Sequence, residues 1–217
     1  MRNTFFILGM ILLTGLSCKK NEEAMPGIDA GCIERIYIPV NGHTISFAEK
    51  NIVDNLFQTN GIINYNYRFY YFFEDSTQTY YPPYAKFDTK IIKADHYNNG
   101  LRIFNGNVLF NFMNDVIHYV GGDTSNAITL NTIPALQLGQ VRKLFIDDAE
   151  RFERLGDHFK DTCLRAEFGY YKEVENNSVK VYKAWLIKPH YYDYPYSIHK
   201  DNDGGLIGYD NGIRYFK

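Results

Sequence analysis

Twice along this chain a stretch with apolar residues at helical spacing is followed by segments that alternate apolar and polar, and this repeated order constrains the fold most. In the first passage Ile33 to Val40 reads as a strand stopped by Asn41-Gly42. Ser46 then offers an N-cap oxygen, Glu49 takes the capping-box position, and Ala48, Ile52, Val53, Leu56 and Phe57 form one stripe ending at Asn60-Gly61. Tyr65, Tyr67, Phe69, Tyr71 and Phe73 alternate as a long strand. Further strands are expected at Ala85 to Ala94, Leu101 to Phe104, Val108 to Phe112 and Val116 to Val120, with Asn114-Asp115 as the two-residue turn of the last pair.

The second passage has the same order. Val141, Leu144, Phe145, Ala149 and Phe152 make a stripe, with i,i+4 pairs expected between Asp147 and Arg151 and between Glu150 and Arg154, and with Gly156 as the stop. Strands follow at Cys163 to Glu173, Val179 to Lys188, Tyr196 to Lys200 and Leu206 to Tyr209. A helix with one apolar stripe must bury it, and an antiparallel meander supplies the cover. The expectation is a strand-rich α+β fold of two helix-plus-antiparallel-meander units, at residues 32–124 and 125–217. Aromatic residues make up 17% of the chain, 19 of them Tyr and 16 Phe, and such residues suit a pleated, half-buried surface.

The N-terminus speaks to location. Met1-Arg2-Asn3 is a short positive start, Phe5 to Leu16 is apolar or small throughout, and Gly15-Leu16-Ser17 stands before Cys18. Residues 1–17 are expected to be a secretory signal, and Cys18 a lipid-attachment cysteine carrying palmitate-type acyl chains that anchor the protein to a membrane. Leu16 lies one residue closer to the cysteine than is usual for such signals; the alternative is an ordinary signal cleaved near Ser17. An uncleaved span would need about 20 apolar residues, more than this run supplies. Residues 18–31, with Lys19-Lys20-Asn21-Glu22-Glu23, are expected to be a disordered tether. Loss of residues 1–17 removes one charge, Arg2, moving the net charge from −2 to −3. There is no basic excess for phosphate backbones, which excludes nucleic acid as a partner class.

Beyond Cys18 only Cys32 and Cys163 remain, and two readings stand open: a disulfide, or two buried apolar thiols. The six histidines, at 43, 96, 118, 158, 190 and 199, show no helical ligand spacing. There is no Gly-x-Ser-x-Gly elbow, no phosphate loop and no Cys-x-x-Cys, so no catalytic residue, metal site or cofactor is expected. His158 near Cys163 is a weak thiol-base pattern; a packed cysteine is the plainer account. Asp201-Asn202-Asp203-Gly204-Gly205 has the start of a calcium loop without its distant Glu, and reads as a polar turn. Two clusters, Tyr80-Tyr81-Pro82-Pro83-Tyr84 and Tyr191-Tyr192-Asp193-Tyr194-Pro195-Tyr196, are candidate binding loops. Tyr80, Tyr81, Tyr84, Tyr191, Tyr192 and Tyr194 either present rings to a sugar or protein partner or roof over the sheet edges.

Several of these segments resemble known modules. The helix Leu138 to Phe152, the strand Tyr182-Lys183-Ala184-Trp185-Leu186-Ile187 and the hairpin from Tyr196-Ser197-Ile198 to Asp203-Gly204-Gly205-Leu206-Ile207 are similar to a PepSY domain, whose fold is cystatin-like. Tyr97-Asn98-Asn99-Gly100-Leu101-Arg102-Ile103-Phe104-Asn105-Gly106 resembles a passage of the fungalysin/thermolysin propeptide domain, with Arg102 where that family has proline. His199 stands where PepSY hairpins commonly carry Asp. The residues around Cys18 resemble lipoproteins of Bacteroidetes-type bacteria, in which acidic residues such as Glu22-Glu23 direct proteins to the surface. These resemblances imply an outer-membrane lipoprotein, periplasmic or surface-facing, that is not an enzyme and that inhibits or chaperones a peptidase in trans. The alternative is a carbohydrate-binding or adhesion module using the tyrosine loops.

Overall fold

The computed structural model describes residues 31–78, 80–125, 128–175 and 178–213, and within them nine strands and three helices form a strand-rich α+β fold. The strand β1 (Ile33–Ile36) precedes α1 (Phe47–Thr59). Ser46 accepts from the Glu49 amide while the Glu49 carboxylate accepts from the Ser46 amide, so the capping box is closed at both ends. Four strands follow: β2 (Tyr67–Gln78), β3 (Lys86–Asn98), β4 (Leu101–Met113) and β5 (Val116–Gly121), paired antiparallel in sequence. Val53, Leu56 and Phe57 of α1 pack on Tyr67, Phe69, Ile92, Ala94, Val108, Phe110 and Phe112. Asn114 and Asp115, at φ 50° and 63°, make the left-handed turn between β4 and β5; Asn99-Gly100, at 48° and 77°, turns β3 into β4 in the same way.

The second half contains α2 (Leu138–Glu153), the short α3 (Gly156–Lys160) and four antiparallel strands: β6 (Leu164–Glu175), β7 (Ser178–Pro189), β8 (Tyr196–Lys200) and β9 (Leu206–Asp210). Val141, Phe145 and Ala149 of α2 pack on Leu164, Ala166, Phe168, Tyr170, Trp185 and Ile187. All nine strands belong to one sheet, with the order β2-β3-β4-β6-β7-β8-β9; β5 lies beside the end of β4 and β1 beside the start of β6. The halves meet where β4 and β6 run parallel through the pair Ile103↔Tyr170.

That seam depends on a detour in β4. Arg102 faces Tyr97 of β3 and Asn107 faces Asp95, so residues 103–106 leave the β3 ladder. Asn105 uses the detour to imitate a strand: its amide donates to the Lys172 carbonyl and accepts from the Lys172 N–H. The Asn105-Gly106-Asn107 stretch, which suggests a break between two strands, is therefore a bulge inside one. Gly169 permits the close approach, since a Cβ there would lie 2.4 Å from the Arg102 carbonyl oxygen.

Several local expectations change. β1 is shorter than Ile33 to Val40, and it pairs in parallel with β6 of the second half, Ile33 facing Leu164 and Ile36 facing Glu167. Helix α2 is stopped by Arg154 in the left-handed region at φ 59°, while Gly156 begins α3. Asp147 pairs with Lys143 at 2.6 Å rather than with Arg151. Glu150 accepts from the Gly156 N–H rather than meeting Arg154.

Candidate functional site

Cys32 and Cys163 form a disulfide that joins the residue before β1 to the residue before β6. No thiol remains at Cys163 to work with His158. Cys18 lies outside the described residues, as does most of the tether. No helix among the described residues is long and apolar enough to cross a membrane. No group of three or more His, Cys, Asp or Glu side chains among them could hold a metal ion.

The tyrosine loops are exposed rather than folded over the sheet. Tyr80 and Tyr191 are both 84% exposed, and Tyr81, Tyr84, Tyr192 and Tyr194 also face solvent. Prolines shape both loops and cannot donate to a ladder, which leaves the adjoining rings outside the sheet. The register puts the two loops at opposite strand ends. Residues 80–85 cap the far end of the β2–β3 hairpin, where Ser76, Thr77 and Gln78 pair with β3 beyond the last β4 partner. Residues 190–195 join β7 to β8 at the end where β6 begins. The six tyrosines therefore form two separate surfaces.

Asp201 shows that the 201–205 turn does more than reverse the chain. Its carboxylate is fully buried and accepts from the backbone N–H groups of Ala135 and Leu136 at 2.8–3.1 Å and from the Trp185 indole at 2.9 Å, with Lys183 Nζ at 3.2 Å. Burial opposes its charge, but the two backbone donors, the indole and Lys183 outweigh it and hold the carboxyl below its usual pKa. The side chain latches the approach to α2 onto the β8–β9 turn. Spacing could not reveal this, because its partners are main-chain groups 65 and 66 residues away.

Asp148, Ser197 and His199 contain the residue types of a hydrolytic triad, but their geometry is wrong for one. Asp148 Oδ2 and Ser197 Oγ both approach Nε2 of His199, at 2.9 and 3.2 Å, while Nδ1 faces the Gly204 carbonyl at 2.9 Å. A relay needs the hydroxyl and carboxylate on different ring nitrogens. The Nε2–Oδ2 approach needs a proton between the two groups, and burial pushes the Asp148 carboxyl up against the pull of His199. Ser197 is fully buried and His199 is 2% exposed, so the cluster pins α2 to β8.

A third buried polar set crosses the seam. Arg68 meets Asp95 at 2.9 Å and Arg102 meets Glu167 at 2.6 Å, with Arg102 also 3.9 Å from Asp95. Burial raises the Glu167 pKa, and the nearby Arg102 works against it. Lys172 completes the seam by donating to Asp123 at 2.6 Å and to the Ser125 carbonyl at 2.9 Å.

An open groove of about 620 Å³ runs along β8 and β9 and reaches Phe152 of α2 and Phe104 of β4. Ser197 and His199 point toward α2, so Tyr196 and Ile198 alternate to the other face, opposite Asp210 and Gly208 of β9. Phe104 and Tyr171 line the same groove. The Phe104 ring lies over Gly169, whose added Cβ would meet it at 2.8 Å, and the Arg102 guanidinium covers it 5.3 Å from the ring centre. Asn211 and the stacked pair Phe152 and Tyr209, 4.9 Å between centroids, form the rim. Sequence reasoning missed this groove because its residues come from five separate elements.

No family model matches the chain, and no curated protein matches it either.

Proposed function

We propose that the protein is a lipid-anchored, extracytoplasmic, non-catalytic binding module, with PepSY-like and propeptide-like units, that engages a peptidase or its precursor in trans. The observation that carries this reading is the sheet edge at β9. β9 ends the nine-stranded order, and no strand among the described residues covers its outer side. An extended partner segment gains main-chain hydrogen bonds along such an edge and side-chain selectivity from the surface beside it. The commitment of Asp148, Ser197 and His199 to the interior supports a non-catalytic role. Glu22-Glu23 behind Cys18 supports tethering at the outer membrane, facing the surface.

The test is to add the purified protein to the secreted peptidases of its own host and follow substrate cleavage and refolding yield. Slower cleavage or a higher yield for one of them is expected; no change with any of them sinks the reading. A second reading, carbohydrate or adhesion binding, is favoured by the exposed rings of Tyr80, Tyr81, Tyr191 and Tyr192.

A further inference from the structure

We infer that the loop between β7 and β8, through Tyr191 and Tyr192, rests on the headgroup layer of a phospholipid bilayer and orients the body on the membrane. This deepens the first reading and rests on its anchor at Cys18, while it is independent of any peptidase. Three observations carry it.

The loop stands where the chain leaves for the anchor. His190 donates its N–H to the Cys163 carbonyl at 2.9 Å, and Cys163 is bonded to Cys32. Cys18 precedes Cys32 by fourteen positions, a reach of at most about 50 Å whatever path the chain takes. β6 leaves that end and runs for 12 residues, about 40 Å, before it turns into β7. β2 runs in the same direction as β6, so of the two tyrosine loops residues 190–195 lie at the anchor end and residues 80–85 at the opposite strand ends.

Two of the loop's rings project from the body. Tyr194 lies beside Tyr196, 5.6 Å between centroids, and over Gly212, where a Cβ would meet its ring at 2.7 Å. Tyr191 and Tyr192 instead face outward, 84% and 67% exposed. The base beneath them is pinned, because Asp193 accepts from Lys188 at 2.6 Å and lies 3.4 Å from Arg165. A tyrosine joins an apolar ring to a polar hydroxyl, which suits the boundary between acyl chains and headgroups. It has only two side-chain torsions to fix on settling there.

The charges at the base of the loop cancel. Lys188 and Arg165 balance Asp193 and Glu34, the last of them 3.0 Å from His190 Nδ1. The approach therefore gains nothing from anionic lipid and loses nothing to it, and the rings make the contact. Two rings bind a bilayer weakly from free solution; the anchor makes the contact intramolecular and so sustains it.

The test uses the one cysteine left by the Cys32–Cys163 bond. Cys18 of the full chain is coupled to a maleimide lipid, which ties the body to vesicles whether or not a cell acylates it. The vesicles are phosphatidylethanolamine and phosphatidylglycerol with brominated acyl chains, which quench tryptophan on contact. Tyr191→Trp is compared with Tyr80→Trp, at two sites that are both 84% exposed but lie at opposite strand ends; Trp185, 1% exposed, is common to both variants. Quenching at position 191 is expected to exceed that at position 80 several-fold and to persist in high salt. Equal quenching of the two variants, stronger quenching of Tyr80→Trp, or loss of quenching in high salt overturns the inference. Acylation of Cys18 is read separately, from the mass of the protein recovered from host membranes, so the anchor and the loop contact can each fail alone.

Discussion

The two halves place a helix on antiparallel strands and fix it by different means. Helix α1 is held largely by aromatic packing: Phe57 sits 4.7 Å from Phe110 and 5.2 Å from Phe69, ring centre to ring centre. Helix α2 also buries a stripe, but directional bonds index it. Asp148 meets His199, Asp201 holds the two residues before Gln137, and Arg142 donates to the carbonyls of Phe159 and Lys160. Aromatic burial is strong and largely non-directional, whereas a buried charged hydrogen bond is satisfied in one geometry only. The lesson is that the second half is built for positional accuracy, and it supplies all of the groove's lining but Phe104 and Asn105.

This contrast can be broken experimentally, because Trp185 is the one tryptophan in the chain and reports on the second half. The largest loss is expected from Phe57→Ala, about 3–5 kcal/mol for a buried Phe. Its urea transition should move more by far-UV circular dichroism than by Trp185 fluorescence. Asp201→Ala, which strands two backbone N–H groups and the indole, is expected to cost about 2–4 kcal/mol. There the fluorescence transition should move first. Coincident shifts for both variants would mean that the halves unfold as one unit and that the difference in fastening has no energetic consequence.

Gly169→Ala probes the seam. An added Cβ must push against the Arg102 carbonyl, and overpacking of this kind costs about 1–3 kcal/mol. The expected result is a wider gap between the two probes in urea; a variant as stable as the parent, with coincident probes, would show that β4 and β6 are not tightly joined.

The smallest effect is one of pH. Burial works against the Asp123 charge, but hydrogen bonds from Lys172 and Ser125 hold its pKa at about 2. A depressed carboxylate contributes stability above its unfolded pKa of about 3.9, and this is lost as pH falls toward about 2. The group is partly exposed, so the contribution is under about 1 kcal/mol after screening. Asp123→Asn should flatten the acid limb between about pH 4 and 2; an unchanged limb would place the loss elsewhere.

Much of the local structure could be read from the sequence, because it depends on near neighbours. The Ser46–Glu49 box, the Asn114-Asp115 turn and the alternation through Tyr67 and Phe69 are set by residues one to three positions apart. Distant contacts could not be read this way. The parallel pairing of β1 with β6 joins residues 131 apart, and Asn105 replaces a ladder with its side chain. The bulge at Asn105-Gly106 has the composition of a turn, and only its β3 and β6 partners make it part of a strand. The groove was hidden for the same reason, while the conspicuous tyrosine runs turned out to occupy two separate loops.

The Cys32–Cys163 bond also sets a mechanical path. A pull on the chain before Cys32 passes through sulfur to Cys163 and on into β6, bypassing the four-residue ladder of β1. β6 lies inside the sheet, bonded to β7 along one side and to β1 and β4 along the other, so the load enters where the most strands share it. If the chain is tethered through Cys18 as proposed, this is the connection that resists peeling, and it leaves the β2–β3 tip with Tyr80 and Tyr81 at the strand end farthest from the pull.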